Sequence, residues 1–301
     1  MNFQALEVFC QVIRRRSFSR GAASLGISQS AASQVVAHLE SELGCQLIDR
    51  RRRPLEPTSA GRLYYQGCQE MLHQHRAVLE KIHNQQKALG GSVRVASIYS
   101  AGLHTLTRYI RRFLSLHGDS NVRLEYFHPV KVYSAILEDE ADLGVISYPR
   151  PHRDLHVIPW VEEEMVLACP PNHPLARKER ISLADLDGET FVAFDPELKI
   201  RREIDRRLRK RQIAVNVVSD FDNIETIKQA LEISSAVSIL PAPSIEREVQ
   251  RNSLLGIPIH DLDLRRPVGV IHKRRRQLTP TAARFLGLLL DGRGQPNQRA
   301  Q

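Results

Sequence analysis

Apolar residues recur at helical spacing from the start of the chain. Leu6, Phe9 and Ile13, with Ala5, Val8 and Val12 broadening the face, predict a helix over residues 3 to 13. A second short helix is expected over Ser19 to Leu25. Gly26 then breaks the pattern, and the Ser28 hydroxyl can cap a third helix running to Leu43. Gly44 follows, where a left-handed turn favours glycine. At about 100° per residue, Ala32, Val35, Val36, Leu39 and Leu43 share one face of that helix. Ser30, Gln34, Ala37 and Ser41 lie opposite, with Ser33 beside them.

Two short extended segments, Cys45 to Arg50 and Leu55 to Thr58, flank the turn Arg51-Arg52-Arg53-Pro54 and outline a β-wing. A long helix is expected from Ser59 to Leu89. Tyr64, Cys68, Met71, His75, Val78, Ile82, Gln85 and Leu89 form a heptad seam along it, widened by Leu72 and Leu79. Such a stripe needs a partner, either a second copy of the helix or another part of the chain. Gly90-Gly91 marks a boundary.

Beyond it, strands and helices alternate. Strands are expected at Val93 to Ile98, Val122 to Phe127, Leu143 to Ser147, Met165 to Cys169, Phe191 to Phe194, Val215 to Val218, Val237 to Leu240 and Val268 to His272. Helices are expected at Gly102 to His117, Val132 to Glu138, Arg201 to Arg211, Ile224 to Glu232 and Pro280 to Leu290. This is the rhythm of a parallel sheet covered by helices. The tail beyond Asp291 is polar.

Charge sharpens the picture at the N-terminus. The chain of 301 residues has 43 Lys/Arg and 34 Asp/Glu, a net charge of +9. Residues 1 to 91 hold 12 of the basic and 7 of the acidic groups, so positive charge is denser there, as a polyanion-binding domain requires. Three short helices with a tight turn before the third make a helix-turn-helix. The outward face of the third is small and hydrogen-bonding. Gln29, Ser30, Ser33 and Gln34 can approach base edges, and the cluster Arg50 to Arg53 can meet phosphates or the minor groove. The bland alternative is a solvated helix in any small helical domain.

Other chemistry is sparse. The motifs GxSxG, HExxH, GxxxxGK and GxGxxG are missing. The 12 histidines show no metal-ligand spacing; His73 and His75 lie two apart on a helix and face different ways. Cys10, Cys45, Cys68 and Cys169 form no CxxC pair and read as buried reduced thiols. Arg14-Arg15-Arg16 interrupts any signal core, and no run of about 18 apolar residues spans a membrane. A cytoplasmic protein that is no enzyme, with neither cofactor nor metal, is expected.

Several stretches resemble the LysR-type transcription regulators. They are Leu6-Glu7-Val8-Phe9, Ser17-Phe18-Ser19-Arg20-Gly21-Ala22-Ala23-Ser24-Leu25, Ile27-Ser28-Gln29-Ser30-Ala31-Ala32-Ser33-Gln34, Leu39-Glu40-Ser41-Glu42-Leu43-Gly44 and Thr58-Ser59-Ala60-Gly61. Asn172-His173-Pro174-Leu175-Ala176, Ile181-Ser182-Leu183-Ala184-Asp185-Leu186, Asp142-Leu143-Gly144-Val145-Ile146 and Ser238-Ile239-Leu240-Pro241 extend the resemblance over nearly the whole chain. Gly21 stands where alanine is usual, and Pro57 where leucine is common.

The resemblance implies an α plus α/β fold. A winged helix-turn-helix DNA-binding domain would span 1–58 and a linker (dimerisation) helix 59–90. A type 2 periplasmic-binding-protein-like effector-binding domain would span 91–294, with subdomain I at about 91–161 and 266–294, subdomain II at about 162–265, and a tail at 295–301. It also implies that Gln29, Ser30, Ser33 and Gln34 read bases and that Ser28, Arg50, Arg53 and Thr58 hold phosphates, with Arg51 on the same wing tip. The partners implied are double-stranded promoter DNA, RNA polymerase, and further copies of the chain in a homotetramer built as a dimer of dimers.

Ligands in open α/β sheets collect at the carboxyl ends of strands. That rule nominates Ser100 with Ala101, Ser147, Phe194, Asp195, and Asn223 with Ile224 as effector-binding. In the family the first two places commonly carry hydroxyls; Pro129 stands where Ser or Thr is frequent. The alternative for each is a helix cap or a strand-end hydrogen bond. Lys199 or Arg201 would favour an anionic effector, while the run Lys273 to Arg276 reads as a charged surface turn. Three rival classes remain: an enzyme, a solute-binding protein, and an architectural DNA-binding protein without effector.

Overall fold

The computed structural model describes residues 3–85 and 91–292. The chain forms two compact units, 1–87 and 88–301. The first holds α1 (Phe3–Arg15), α2 (Phe18–Ala23) and α3 (Gln29–Leu43), close to the expected bounds. Their ends have the chemistry read from sequence. The Ser28 hydroxyl accepts from the Ala31 amide at 3.1 Å, and Gly44 takes φ 64° where a side chain would strain. Phe9, Val12, Ala32, Val36, Leu39, Leu47 and Cys68 pack one core. Leu43, expected on the inward face of α3, is 45% exposed, because the last turn of α3 runs past the core.

The wing strands β1 (Ile48–Asp49) and β2 (Glu56–Pro57) pair antiparallel but are only two residues long. The expected strand from Cys45 is missing because a side chain takes its amides. One Glu40 carboxylate oxygen accepts from Leu47 N at 2.8 Å and Ile48 N at 3.1 Å. The wing then locks to α4 (Ser59–Gln85). Thr58 caps that helix, accepting from Gly61 N at 2.9 Å and donating to the Gln46 carbonyl at 2.7 Å. A Cβ on Gly61 would lie 1.9 Å from the Leu47 carbonyl oxygen, so only glycine lets the helix start rest on the wing.

The seam of α4 divides. Cys68 is fully buried, Tyr64 lies 5.4 Å from Phe9, and His75 stacks on Phe3 at 4.3 Å. This half packs within its own domain. Leu63, Met71, Val78 and Leu79 are exposed. The Ile82 and Gln85 side chains, Leu89, Gly90 and the 295–301 tail lie outside the described residues.

The second unit has two cores. Strands β3 (Ser92–Ser97), β4 (Asn121–Tyr126) and β5 (Leu143–Ser147) pair parallel, packed by α5 (Thr107–Leu116) and α6 (Pro129–Leu137). The helix expected from Gly102 opens as a π-helical turn, Ala101–Leu106. β6 (Leu155–Cys169) is ten residues longer at its start than expected. Pro159 and a run of glutamates disguise that half, yet among the described residues it has only β11 as neighbour, so a missing amide is tolerated. The other half lies in the second core, with β7 (Thr190–Phe194), α7 (Lys199–Lys210), β8 (Asn216–Phe221), α8 (Ile224–Glu232), β9 (Ser238–Pro241), α9 (Glu246–Gln250) and β10 (Leu255–Pro258). The last elements, β11 (Arg265–Lys273) and α10 (Pro280–Asp291), return to the first core.

The large sheet runs β10-β6-β11-β5-β3-β4, and β11 lies antiparallel to both β5 and β6. It is therefore mixed, not parallel throughout as expected. A chain that crosses between cores and returns through β11 must reverse direction. α9 and β10 were not legible: α9 is five residues of mostly polar pattern, and β10 is only four residues long and broken by Gly256 and Pro258. Replacing Gly61 by alanine should destabilise the first unit by about 1–3 kcal/mol, read as a lower thermal midpoint of the full chain. An unchanged midpoint would refute the helix-on-wing contact.

Candidate functional site

α3 presents Ser28, Gln29, Ser30 and Gln34 to solvent, with Ser33 half-buried. The Ser28 and Ser30 hydroxyls lie 2.9 Å apart. Beside them the wing guanidiniums divide into two kinds. Arg50 pairs with Glu40 at 3.0 Å and lies over the Phe18 ring at 5.4 Å. Arg52 pairs with Glu56 at 2.7 Å. Arg51 and Arg53 are exposed and have no ion pair among the described residues. Exposed pairs of this kind add little stability; they fix the wing and leave two uncompensated cations at its tip. Phe18, Ser19, Gln29, Ser33, Arg50 and Arg53 line the groove between helices and wing. Thr58 differs from the other nominated phosphate ligands, because its hydroxyl proton is committed to Gln46.

A cavity of about 380 Å³ opens between the two cores of the second unit. Ser100, Ser147, Phe194 and Ile224 line it. Ala101, Asp195 and Asn223 do not. Ala101 is fully buried, Asp195 accepts from Glu197 N at 2.7 Å, and Asn223 caps α8 by accepting from Glu225 N at 2.9 Å. For the last two, the alternative of a turn or cap describes what is seen. Sequence reasoning missed Tyr148, Arg150, Arg202, Asp222 and Arg266. Tyr148 and Arg150 follow the end of β5, so the strand-end rule carried three residues further would have reached them. Arg266 lies in the unrecognised start of β11.

The electrostatics of the cleft are uneven. Arg266 donates from Nε to Glu163 at 2.7 Å and from Nη1 to Ser100 Oγ at 2.7 Å, and both charged side chains are buried. Tyr148 takes φ 50°; burial pushes its phenol up to about 12, and its Oη is buried without a hydrogen-bond partner among the described residues. At the start of α7, Lys199 lines the cavity and pairs with Glu203 at 2.8 Å. Arg201 is turned away, bonded to Asp205 at 2.9 Å and to the Phe194 carbonyl at 2.6 Å. The hydrogen bond from Lys199, with those from Arg207 and Arg206, holds the Glu203 carboxyl down to about 2 against the opposing cost of burial.

Among the described residues there is no cluster of three His, Cys, Asp or Glu able to hold a metal ion, and no helix is long and apolar enough to cross a membrane. All four cysteines are free; three are buried as expected, but Cys45 is exposed.

A helix offering amides and hydroxyls beside a basic wing, joined to a domain with a ligand-sized cleft, defines a ligand-responsive transcription regulator. The chain belongs to the LysR family: the model of the LysR substrate binding domain matches residues 86–293, and that of the bacterial regulatory helix-turn-helix protein, lysR family, matches residues 3–62. A probable RuBisCO transcriptional regulator of Synechocystis sp. is 28% identical over 287 residues, covering 93% of this chain and 83% of that protein. Full-length CbnR in complex with its target DNA has the same fold, with TM-score 0.68 at 19% identity over 96% of this chain and 99% of that one. So does the regulatory domain of Synechocystis CcmR in complex with 2-PG, with TM-score 0.59 at 24% identity over 66% of this chain and 96% of that one. The expected fold, a winged helix-turn-helix followed by a periplasmic-binding-protein-like domain, holds.

Glu203 gives a pH prediction. Its folded carboxyl titrates below the ordinary value of 4.5, so its contribution to stability is present above 4.5 and is lost as pH falls toward about 2. Urea unfolding of the Glu203→Gln variant should show a shallower loss of stability over that window than the parent. Parallel curves would contradict the clamp on Lys199.

Proposed function

We propose that this LysR-type regulator reads a partly palindromic operator through two copies of α3. Gln29, Ser30, Ser33 and Gln34 read bases, while Ser28 and Arg50, Arg51 and Arg53 hold phosphates. The observation that carries this reading is the exposure of Ser30 and Gln34 on α3 beside the unpaired Arg51 and Arg53. CbnR, similar over its whole length, has been captured on its target DNA. The committed hydroxyl proton of Thr58 leaves that residue a structural part.

Residues 1–58 would serve as the DNA-binding domain, 59–90 as the linker helix and 91–294 as the effector-binding domain. Met71, Val78 and Leu79, exposed on α4, supply an apolar surface for pairing with a second copy. Dimers would associate in turn into a tetramer. The cleft would take a small-molecule effector, as the CcmR regulatory domain takes 2-PG. The effector changes the placement of subunits on DNA, and with it recruitment of RNA polymerase in the cytoplasm. That requires unequal affinity for the two arrangements.

Footprinting a fragment upstream of the neighbouring gene tests the assignment. Gln34→Ala should weaken binding by about 1–3 kcal/mol at particular bases. Arg51→Ala should flatten the salt dependence of the affinity by about one unit of slope. A footprint indifferent to both substitutions would overturn the reading.

A further inference from the structure

The two strands that cross between the cores carry opposite charges in register. Glu163 of β6 faces Arg266 of β11, and Glu164 faces Arg265. The Glu163 and Arg266 side chains are each 3% exposed, so this pair is shut away from water. Arg266 Nε and Nη2 both donate to one Glu163 oxygen, and the other Glu163 oxygen accepts from Thr105 Oγ1 at 2.7 Å. From Nη1 the guanidinium reaches the cleft wall and donates to Ser100 Oγ at 2.7 Å. A continuous chain of bonds thus joins the hinge to the cavity.

The donors in this chain outnumber its acceptors. A guanidinium carries five N–H groups, and the three bonds just described leave two of them over. Ser100 accepts from Arg266, so its own proton is left for another acceptor; among the described residues it has none. Tyr148 Oη, likewise buried and unpartnered, belongs to a side chain on the same cavity wall. Arg150, Lys199, Arg202 and Arg266 line that cavity against only Glu197 and Asp222. Buried donors left without acceptors are costly, and a ligand that supplies acceptors relieves them.

We propose that Arg266, with the hydroxyls of Ser100 and Tyr148, forms a subsite for an anionic oxygen group, a carboxylate or a phosphate, on the ligand. The proposal rests on the cleft being the effector site. Arg266 supplies the charge and directs the Ser100 proton outward, because a hydroxyl that accepts from a guanidinium can turn its hydrogen only toward something else. The anion shares the guanidinium with Glu163. Because one guanidinium then serves both the anion and Glu163, which ties the two crossing strands, occupancy of the subsite is coupled to that tie.

Calorimetric titration of the full chain with benzoate, its neutral isostere benzamide, and inorganic phosphate tests the subsite and separates a carboxylate from a phosphate source. At least one anion should bind saturably, and if that anion is benzoate, benzamide should bind at least about tenfold more weakly. Ser100→Ala should weaken that anion severalfold. The double variant Glu163→Gln/Arg266→Gln, which removes both buried charges together and spares the fold an unpaired one, should weaken it at least about tenfold. Binding of neither anion, benzoate binding no tighter than benzamide where phosphate does not bind, or affinities unmoved in both variants would overturn the proposal. Gel shifts run alongside keep the two readings apart. If the parent still shifts operator DNA while the anions fail, the subsite falls and the regulator stands; if the parent shifts no operator DNA, the regulator reading itself falls.

Discussion

Only two lengths of chain in the crossing sheet pass from one α/β core to the other, and they are paired by a buried charge. β6 and β11 lie antiparallel with Glu163 against Arg266 at the crossing. A buried pair of this kind adds little net stability, yet breaking it by removing one partner costs about 3–5 kcal/mol. The rest of the regulatory unit is arranged around that constraint. Ser100 and Arg266 face the cavity from one core and the hinge, and Phe194 and Lys199 face it from the other. Any change in the angle between the cores must pass through strands whose register this pair holds.

A second charged group organises the DNA-reading unit in a similar way. Glu40 leaves the half-buried flank of α3, accepts two amides of the wing, and pairs with Arg50. One carboxylate thus sets the wing's distance from the helix that it accompanies. The cost is a shortened β-ladder; the gain is that the wing tip is placed by α3 itself, the element whose outer face carries Ser30 and Gln34. Arg50 shares its exposed guanidinium with this internal work, whereas Arg51 and Arg53 have no ion pair among the described residues.

The periodicity of apolar residues made the three N-terminal helices, α4 and most of the regulatory elements legible, because each has one face against a core. It failed where a segment serves two environments. The first half of β6 carries Pro159 and three glutamates, and β11 opens with two arginines and a proline. Neither looks like a strand, yet the two pair antiparallel along their length, with Arg266 and Glu163 ion-paired between them. The same blindness hid Arg266 from the cleft. Ser100, Ser147, Phe194 and Ile224 were reachable because strand ends are local features. Asp195 and Asn223 share that local signature and serve the backbone instead, a distinction that only three dimensions make. The seam of α4 was readable as a stripe, but its division between Phe9 and open solvent was not.

The glycine at the head of α4 has a mechanical consequence. With no side chain between the helix and the Leu47 carbonyl, and with Thr58 bonded to both Gln46 and Gly61, the helix and the wing move as one lever. A twist imposed at the far end of that 27-residue rod would reach the wing's arginines without slack. Any displacement of the head of α4 therefore carries the wing, and the arginines at its tip, along with it.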